Sequence, residues 1–387
     1  MWERSRIEWH LGSPGDPLRL LADFLADSGL PVGDLGAAGT AAGDGGGAHG
    51  GTPHGGAGAC RALIYLSAAA GAVVAGAPPG RPSPAPAVPD LVAVAYDHRA
   101  PVHRPHRRRG GRPQPGDWWV GDWRASWSPA QHAAAVSAVR SAIARGDAYQ
   151  VNLVGHAAAP YLGDPHPALR RVAALPGARY PHVLAGAGWA IGCASPETLV
   201  EVAGGRVVTR PIKGTRPASA AGRAALAGSA KERAEHVMIV DLERNDLARV
   251  ARTGSVTVAD LYAVRRWCDL WQAESEVSAA LAPGVGLPDL LRAVWPGGSV
   301  TGAPKLAALD LIAALEPVGR GPSMGALGWI DAGRLDLGLT IRTVAFDADR
   351  VHVWAGGGIT WGSEPDAEVA EAAAKADPLR RAVTGER

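Results

Sequence analysis

Apolar residues recur along this chain with two different periods, and each period predicts one kind of element. Residues 128–147 carry apolar positions at helical spacing, open on Ser128 and stop at Gly146, so they predict a capped helix. Residues 189–212 alternate through LVEV, cross a pair of glycines and continue through VVTRPI, which predicts a strand, a turn and a strand. From about residue 117 onward the two patterns follow one another closely, so helices and strands are expected to share one fold.

The same patterns assign most of the remaining chain. Helices are predicted at 218–250, at 301–315 with Thr301 and Pro304 at its start, and after Ser363, with Pro365 in the first turn. Strands are predicted at 148–157 and 325–362, strands or a short helix at 61–76 and 91–99, and a mixture of strand and helix at 255–281. Because strands come in hairpins between helices, the pattern predicts an α+β fold with antiparallel sheets and not a doubly wound α/β fold.

Glycine and proline divide the chain into two regions. Residues 1–116 include a glycine-rich stretch at 33–58, which is typical of a flexible loop, and a basic, proline-rich stretch at 98–116. The basic stretch has two interpretations, a nucleic-acid-binding tail or a solvated loop. It is short and no aromatic residue is interleaved, which favours the loop. Residues 117–387 are denser in periodic elements and are predicted to carry the function.

Composition narrows the class of protein. The chain has 387 residues, 47% of them hydrophobic, which is enough for a large core, and its net charge of +2 does not suggest a nucleic-acid-binding protein. Its three cysteines form no C-x-x-C pair, no run of about 18 apolar residues occurs, and the charged N-terminus lacks a signal-peptide core. A cytoplasmic protein with no membrane span and no nucleic-acid partner is therefore predicted.

Lysine is nearly absent, so its positions are informative. Of 39 basic residues only four are lysine and 35 are arginine, whose guanidinium cannot lose its proton as an amine can. The four lysines lie in the four most motif-like segments: PIKGTRP, AKERAEHVMIVDLERND, GGSVTGAPK and EVAEAAAKADP. Either they are harmless lysines retained by chance, or some of them are needed for their amine.

The PIKGTRP segment places Lys213 between a strand end and Gly214. Desolvation and nearby cations such as Arg210 or Arg216 would lower its pKa and supply a nucleophilic amine, whereas the alternative is a turn lysine in water. Glu197 opens a strand in SPETLVEV and is a candidate general acid.

Two acidic helices offer candidate metal ligands. Glu235 points the same way as the apolar residues Met238, Ile239 and Leu242, so its carboxylate must pair with an arginine or bind a cation. In the last helix, Glu368, Glu371 and Lys375 share one face.

The alternative for that last face is an ordinary Glu371–Lys375 pair on a solvated surface. Against it stands a run of three glycines at 356–358, whose amides can approach an anion closely. Carboxylates from two helices, completed by water and substrate, are typical ligands of Mg²⁺.

Two further features predict an anionic ligand. Ser299 and Thr301 lie among glycines just before a helix start, where free N–H groups favour anions, although the spacing is not that of a Walker loop. Both are predicted to contact the substrate. Arg342 lies in a predicted buried strand, and a buried arginine needs an anion, either a protein carboxylate or a ligand carboxylate.

Taken together, these motifs resemble those of chorismate-utilising enzymes, which include anthranilate synthase component I, aminodeoxychorismate synthase component I, and isochorismate and salicylate synthases. SPETLVEV, PIKGTRP, KERAEHVMIVDLERND, PGGSVTGAPK, LTIRT and GGGITWGSEPDAEVAEAAAK occur in the family's order over roughly residues 120–385. The resemblance implies two large antiparallel sheets packed as a sandwich with helices outside. It also implies a shortened region at 1–116 that contributes to the sandwich, and a chorismate-binding catalytic domain at 117–387.

The resemblance also implies residue roles. It implies Mg²⁺ bound by Glu235 and Glu371, with Glu232 and Glu368 nearby. The residues that it implies for substrate contact are Thr215, Arg342, Gly356, Gly357, Gly358 and Lys375.

Within the family, the sequence is most similar to aminodeoxychorismate synthase component I, which serves para-aminobenzoate and folate biosynthesis. PIKGTRP resembles the segment whose lysine attacks the substrate ring, Asp289 stands where anthranilate synthases have a histidine, and Gln150 stands where isochorismate synthases have a water-activating lysine. No N-terminal segment resembles the tryptophan-feedback motif. The resemblance therefore implies conversion of chorismate and ammonia to 4-amino-4-deoxychorismate, with Lys213 as nucleophile and Glu197 as acid–base.

Ammonia is expected from a glutamine amidotransferase subunit, because none of Cys60, Cys193 and Cys268 lies in the G-x-C-x-G elbow of glutaminases. The alternative enzyme is an anthranilate or 2-amino-2-deoxyisochorismate synthase, which places the amine on ring carbon 2. A catalytically inactive regulatory subunit is a further alternative, and the intact set of motifs disfavours it.

Overall fold

The computed structural model describes residues 1–37, 59–97 and 118–385. Most of the predicted loop at 33–58, from residue 38 onward, and the basic stretch at 98–116 lie outside the described residues. Within the described ranges, every helix is too short or too polar to span a membrane.

One antiparallel sheet contains ten strands, which include the first three strands of the chain and strands from its second half. Numbered in chain order and given in spatial order, its strands are β1 (Trp2–Trp9), β3 (Leu91–Asp97), β2 (Arg61–Leu66), β15 (Ala326–Asp331), β16 (Arg334–Leu339), β9 (Thr198–Ala203), β10 (Arg206–Arg210), β13 (Leu270–Ala280) and β11 (Ile212–Pro217), with β12 (Thr257–Trp267) paired to β13. The first three strands of the chain therefore extend the sheet that begins with β15 and β16.

A second antiparallel sheet contains eight strands. In spatial order these are β14 (Gly302–Ala303), β6 (Gln150–Gly163), β18 (Arg350–Ile359), β17 (Thr343–Asp347), β8 (Trp189–Cys193) and β7 (Val183–Gly186), with β4 (Trp118–Val120) and β5 (Arg124–Ala125) paired to β6. The ladder between β6 and β18 sets Gly356, Gly357 and Gly358 opposite residues 154, 153 and 152. The glycine run therefore lies at the centre of this sheet.

Buried side chains of both sheets meet in one apolar cluster. Val154, Ile191 and Trp354 of the second sheet pack in the same cluster as Leu199 and Leu327 of the first. The protein is thus a sandwich of two antiparallel sheets, which confirms the predicted α+β fold.

Nine helices occur in the described residues. They are α1 (Pro17–Asp27), α2 (Ala68–Val74), α3 (Pro129–Arg145), α4 (His166–Ala173), α5 (Ala220–Gly228), α6 (Ala230–Ala248), α7 (Leu287–Val294), α8 (Lys305–Leu315) and α9 (Pro365–Thr384). The helix predicted at 128–147 is confirmed as α3: the Ser128 side chain accepts a hydrogen bond from the Gln131 amide, and Gly146 ends the helix with a φ of 86°.

The single helix predicted at 218–250 is wrong, because two helices occupy that range. Ser229 between them has an extended backbone, and its side chain caps α6 by accepting from the Glu232 amide. The mixture of strand and helix predicted at 255–281 is also wrong, because β12 and β13 form a hairpin there with an irregular register between Ala259 and Ala263.

Two predicted helix starts lie elsewhere. The helix expected from Thr301 begins at Lys305, because the preceding residues pair with β6 as the short strand β14. The last helix begins after Glu364, and the Ser363 hydroxyl accepts from the Thr360 amide instead of capping the helix.

Candidate active site

A cavity of about 230 Å³ is lined by β11, the glycine run of β18, the first turns of α6 and one face of α9. Thirteen of the fourteen residues predicted for the site line it, although they come from distant parts of the chain. These are Glu197, Lys213, Thr215, Glu232, Glu235, Ser299, Arg342, Gly356, Gly357, Gly358, Glu368, Glu371 and Lys375.

Thr301 is the exception. It is 1% exposed, its hydroxyl donates to the Gly297 carbonyl over 2.9 Å, and it lines a separate cavity beside Pro296. Its hydroxyl therefore stabilises the turn before β14, and the structure does not place it against a ligand in the main cavity.

Lys213 points from β11 towards the glycine run. Its Nζ donates to the Ser299 carbonyl over 3.3 Å and lies 2.5 Å from where a Cβ on Gly358 would be. Burial lowers the pKa of this amine, Glu197 raises it, and Lys375 lowers it again. Because the net direction is downward, a larger share of neutral amine is present than on a solvated lysine.

Glu197, where the chain enters β9, contacts the same residue as this amine, Ser299. It is 4% exposed, and its Oε1 accepts from the Ser299 hydroxyl over 2.5 Å and from the Ile212 amide over 3.2 Å. Burial raises the pKa of this carboxyl group, more than the hydrogen bonds and Lys213 lower it. A carboxyl group in such surroundings can hold a proton for a leaving group.

The start of α6 supplies two carboxylates to the cavity. Glu232 Oε1 lies 2.8 Å from the Arg216 guanidinium, and Glu235 Oε1 accepts from the Thr360 hydroxyl over 2.5 Å, with Lys231 Nζ 3.9 Å away. Burial raises the pKa of Glu232 in spite of Arg216, and Glu235 contributes to the rise.

The facing helix α9 supplies two more. Glu371 Oε1 pairs with Lys375 Nζ at 2.6 Å, and Lys375 also donates to the Gly356 carbonyl over 2.9 Å. A Cβ on Gly357 would lie 3.2 Å from Glu368 Oε2, 3.6 Å from Lys375 Nζ and 3.9 Å from Glu371 Oε1. These three charged groups therefore surround Gly357, and the pair expected on a solvated surface lies inside the cavity.

The donor set of the two helices fits a hard divalent cation. In the described part of the chain, no three His, Cys, Asp or Glu side chains are arranged to hold a metal ion by themselves. Burial raises the pKa of Glu368 and of Glu232, and in both cases the neighbouring Glu371 adds to the rise. A cation would relieve this repulsion, and Mg²⁺ takes one or two carboxylates together with water and substrate oxygens.

Arg342 brings a buried positive charge to the cavity, and it lies in the connection between β16 and β17 and not in the buried strand predicted for it. It is 6% exposed, stacks on Trp267 with 4.5 Å from its guanidinium carbon to the ring centroid, and has a φ of 53°. Its Nε is buried without a hydrogen-bond partner, and burial lowers its pKa to about 10. Of the two readings from the sequence, this geometry favours a ligand anion over a protein carboxylate, because an unpaired buried guanidinium is costly.

The glycine run presents backbone to the cavity. On one edge, residues 356–358 pair with β6, whereas the ladder between β18 and β17 ends at Val353. The other edge of this stretch is therefore free of a neighbouring strand in the described residues, and no side chain intervenes between it and a ligand.

Gln150 and Arg216 were not among the residues predicted to hold the substrate, the metal or the reacting groups, yet one lies beside the cavity and the other lines it. The Gln150 side chain is 1% exposed, neither of its amide atoms has a partner, and its Nε2 lies 2.9 Å from where a Cβ on Gly358 would be. Arg216, expected to depress the pKa of Lys213, instead pairs with Glu232. Of the four lysines, only Lys305 lies away from the cavity, where it pairs with Asp246 at 2.8 Å.

One cavity thus combines a buried amine, a buried carboxyl group, an unpaired guanidinium and an acidic cluster, which is the arrangement of an enzyme site for an anionic substrate. Residues 90–381 match the family described as chorismate binding enzyme, and the chain belongs to that family.

Known relatives carry two different activities. The chain is 39% identical over 285 residues to anthranilate synthase component 1 of Streptomyces coelicolor, covering 70% of this chain and 56% of that one. It is 37% identical over 257 residues to aminodeoxychorismate synthase component 1 of Escherichia coli, covering 65% and 57%. The chain thus spans little more than half the length of the curated relatives it matches.

The fold has a solved counterpart of similar size. Anthranilate synthase component I from Streptococcus pneumoniae superposes with a TM-score of 0.76 at 26% identity, covering 97% of this chain and 90% of that one. The superposition therefore extends over most of residues 1–89, which the family match leaves out.

Proposed function

We propose that this protein is an aminodeoxychorismate synthase component I, which converts chorismate and ammonia to 4-amino-4-deoxychorismate. In this proposal residues 117–387 carry the chemistry, residues 1–116 complete the sandwich, and the protein acts in the cytoplasm. The environment of Lys213 is the observation that supports this proposal most directly. Its amine faces the cavity, burial lowers its pKa, and Glu197 lies nearby.

The reaction would begin with the substrate's carboxylates held by cations and amides of the cavity. Arg342 binds one carboxylate, and Lys375 and the edge of the glycine run contact the substrate from the opposite side. Thr215 and the Ser299 carbonyl fix the ring near the Lys213 amine. This placement holds the reacting groups close together, which lowers the entropic part of the reaction barrier.

Lys213 then forms a C–N bond to the ring while the ring C–O bond breaks. The Glu197 carboxyl group gives its proton to the departing hydroxyl, so that water leaves and a carboxylate remains. Ammonia next forms the new C–N bond, the bond to Lys213 breaks, and the proton lost by ammonia returns to Glu197. The sum is chorismate plus ammonia giving aminodeoxychorismate plus water.

Mg²⁺ is the cofactor of this proposal. Glu235 and Glu371 would hold it, with Glu232 and Glu368 nearby, and it would anchor a substrate carboxylate and polarise the leaving oxygen.

Ammonia would come from a glutamine amidotransferase subunit. The relatives are named as component 1, which is consistent with a second component. None of the three cysteines of the chain lies in a glutaminase elbow.

The test is product identification with ammonium chloride, chorismate and Mg²⁺. Wild-type protein should release 4-amino-4-deoxychorismate, and Lys213→Ala should lower the rate by about 100-fold or more while chorismate still binds. Arg244→Ala is the control, because this cation is exposed on α6, where it pairs with Asp241 at the surface, and its loss should leave the rate nearly unchanged. Wild-type activity in Lys213→Ala would refute the nucleophile.

One observation favours a second candidate, an anthranilate synthase, since the Streptomyces coelicolor relative has that activity at 39% identity. Its product carries the amine on ring carbon 2 and is fluorescent, so the same incubation distinguishes the two. Fluorescent anthranilate as the main product would replace the first proposal by the second.

A further inference from the structure

A buried carboxyl group lies behind the cavity, on the fourth turn of α6. Glu243 is 3% exposed, and its Oε1 lies 3.1 Å from where a Cβ on Gly298 would be. The Gly298 amide donates to this carboxyl group, and the Thr209 hydroxyl lies 3.4 Å from its Oε2. Glu243 does not line the cavity, so it can influence a ligand there only through the residues that it contacts.

The element that it contacts is a short 3-10 turn, Gly298–Val300. The central residue of this turn, Ser299, accepts from Lys213 Nζ with its carbonyl and donates to Glu197 with its hydroxyl. Glu243 therefore holds one end of a turn whose middle residue touches both proposed reacting groups.

Charged groups around Glu243 come from three elements. Asp246 lies on the same helix, Lys305 on α8, and Glu197 at the entry to β9. Lys305 pairs with Asp246 at 2.8 Å, which leaves Glu243 without a cation of its own. Burial, and then Asp246, raise the pKa of Glu243 to about 8, so at neutral pH it is a neutral acid that still accepts from Gly298.

We propose that Glu243 is a positioning residue, which holds the Gly298–Val300 turn so that Ser299 aligns the Lys213 amine with the Glu197 carboxyl group. This inference rests on the proposed function for the identity of the reacting groups. The first residue of the turn, Gly298, packs directly on Leu242 and Glu243, whereas the Thr301 hydroxyl and the Arg320 guanidinium hold the carbonyls of Gly297 and Val300.

Two variants separate alignment from folding. Glu243→Leu removes the acceptor for the Gly298 amide, and kcat should fall by about 10-fold or more while KM for chorismate changes by less than about 2-fold. Glu243→Gln keeps a carbonyl acceptor of the same length, so most of kcat should return. Asp241→Asn is the control, because Asp241 is exposed on the same helix and pairs with Arg244.

The pH profile supplies a result that a merely structural role would not give. Above about pH 8, ionised Glu243 adds a negative charge near Glu197, which makes the Glu197 carboxyl group a weaker proton donor and slows turnover. Glu243→Gln cannot ionise, so its rate should stay high where that of the wild type declines.

Chorismate consumption is followed as well as product, so that two failures are distinguishable. A wild-type product other than aminodeoxychorismate would refute the proposed function and leave the Glu243 comparison readable. Equal kcat in wild type and Glu243→Leu, or identical pH profiles in wild type and Glu243→Gln, would overturn the role of Glu243. If Glu243→Leu does not fold, the Glu243→Gln profile decides.

Discussion

Alanine substitutions at the three consecutive glycines of β18 should have three different consequences. A Cβ on Gly356 would lie 1.8 Å from the Leu153 carbonyl oxygen, so the two strands must separate. A Cβ on Gly357 would lie 3.2 Å from the Glu368 carboxylate, and a Cβ on Gly358 would lie 2.5 Å from the Lys213 amine. The three positions share one strand and one substitution, so they form an internally matched series.

Gly358→Ala is the informative member. To reach an ordinary contact of 3.4 Å, the Lys213 Nζ must move by about 1 Å, and a displacement of that size costs roughly 100-fold in rate. The obstructing atoms are the ends of two flexible side chains, Lys213 and Gln150, so the free energy of unfolding should change by less than about 1 kcal/mol.

Kinetics and urea unfolding of the three variants check this reasoning. Gly356→Ala should lose at least about 2 kcal/mol of stability, because the clash is with backbone. Gly357→Ala should fold normally and lose less activity than Gly358→Ala, and Gly333→Ala, with open space around its Cβ, should match the wild type. Wild-type kcat in Gly358→Ala, with stability intact, would refute the placement of Lys213 at the reacting centre.

Three further results are expected. Arg342→Leu should weaken chorismate binding, measured by calorimetric titration, by about 30-fold or more, because the buried substrate carboxylate loses its cationic partner; unchanged affinity would contradict that assignment. Chelator should abolish turnover and Mg²⁺ restore it, and Glu371→Gln should raise the Mg²⁺ concentration for half-maximal rate by about 10-fold or more; full activity in chelator would contradict a metal role. Burial lowers the pKa of His156 to about 3 and of His352 to about 4 from 6.5, so only the unfolded chain takes up these protons between pH 6.5 and 4. The free energy of unfolding should therefore decrease as the pH is lowered, by about 2 kcal/mol for each histidine at pH 5, and His352→Gln should make this pH dependence, measured by urea unfolding, less steep.

Local sequence patterns were sufficient to predict an element where all the residues that determine it lie close together in the chain. The α3 helix carries its cap, its apolar period and its terminal glycine within 20 residues, so periodicity alone predicts it. The hairpin of β12 and β13 was not predicted, because Asp260 and Tyr262 adopt positive φ where the register is irregular. This irregularity breaks the alternation of apolar and polar residues that a strand should show.

The buried face of α6 shows why part of the candidate site could not be predicted from the sequence. Four of its seven buried positions are polar, so an apolar pattern cannot reveal this face; the seven are Glu232, His236, Ile239, Val240, Glu243, Asp246 and Leu247. Met238 and Leu242, which suggested the orientation of Glu235, lie at the edge of that face and are only half-buried. The partners that make such burial possible come from β10, β13 and the 298–300 turn, and no spacing within the helix encodes them.

The charges around the cavity would couple the proposed metal to the proposed substrate. Its lining holds five basic side chains (Lys213, Arg216, Lys231, Arg342 and Lys375) and six acidic ones (Glu197, Glu232, Glu235, Glu364, Glu368 and Glu371). A dicarboxylate entering alone would add two negative charges beside carboxylates whose pKa values are already raised by their neighbours, and a divalent cation alone would add two positive charges beside Lys213 and Arg342. If the dicarboxylate and the divalent cation bind together, the net charge of the cavity stays unchanged. Each should therefore increase the affinity for the other by the same factor, so a chelator that stops turnover acts through substrate binding as well as through chemistry.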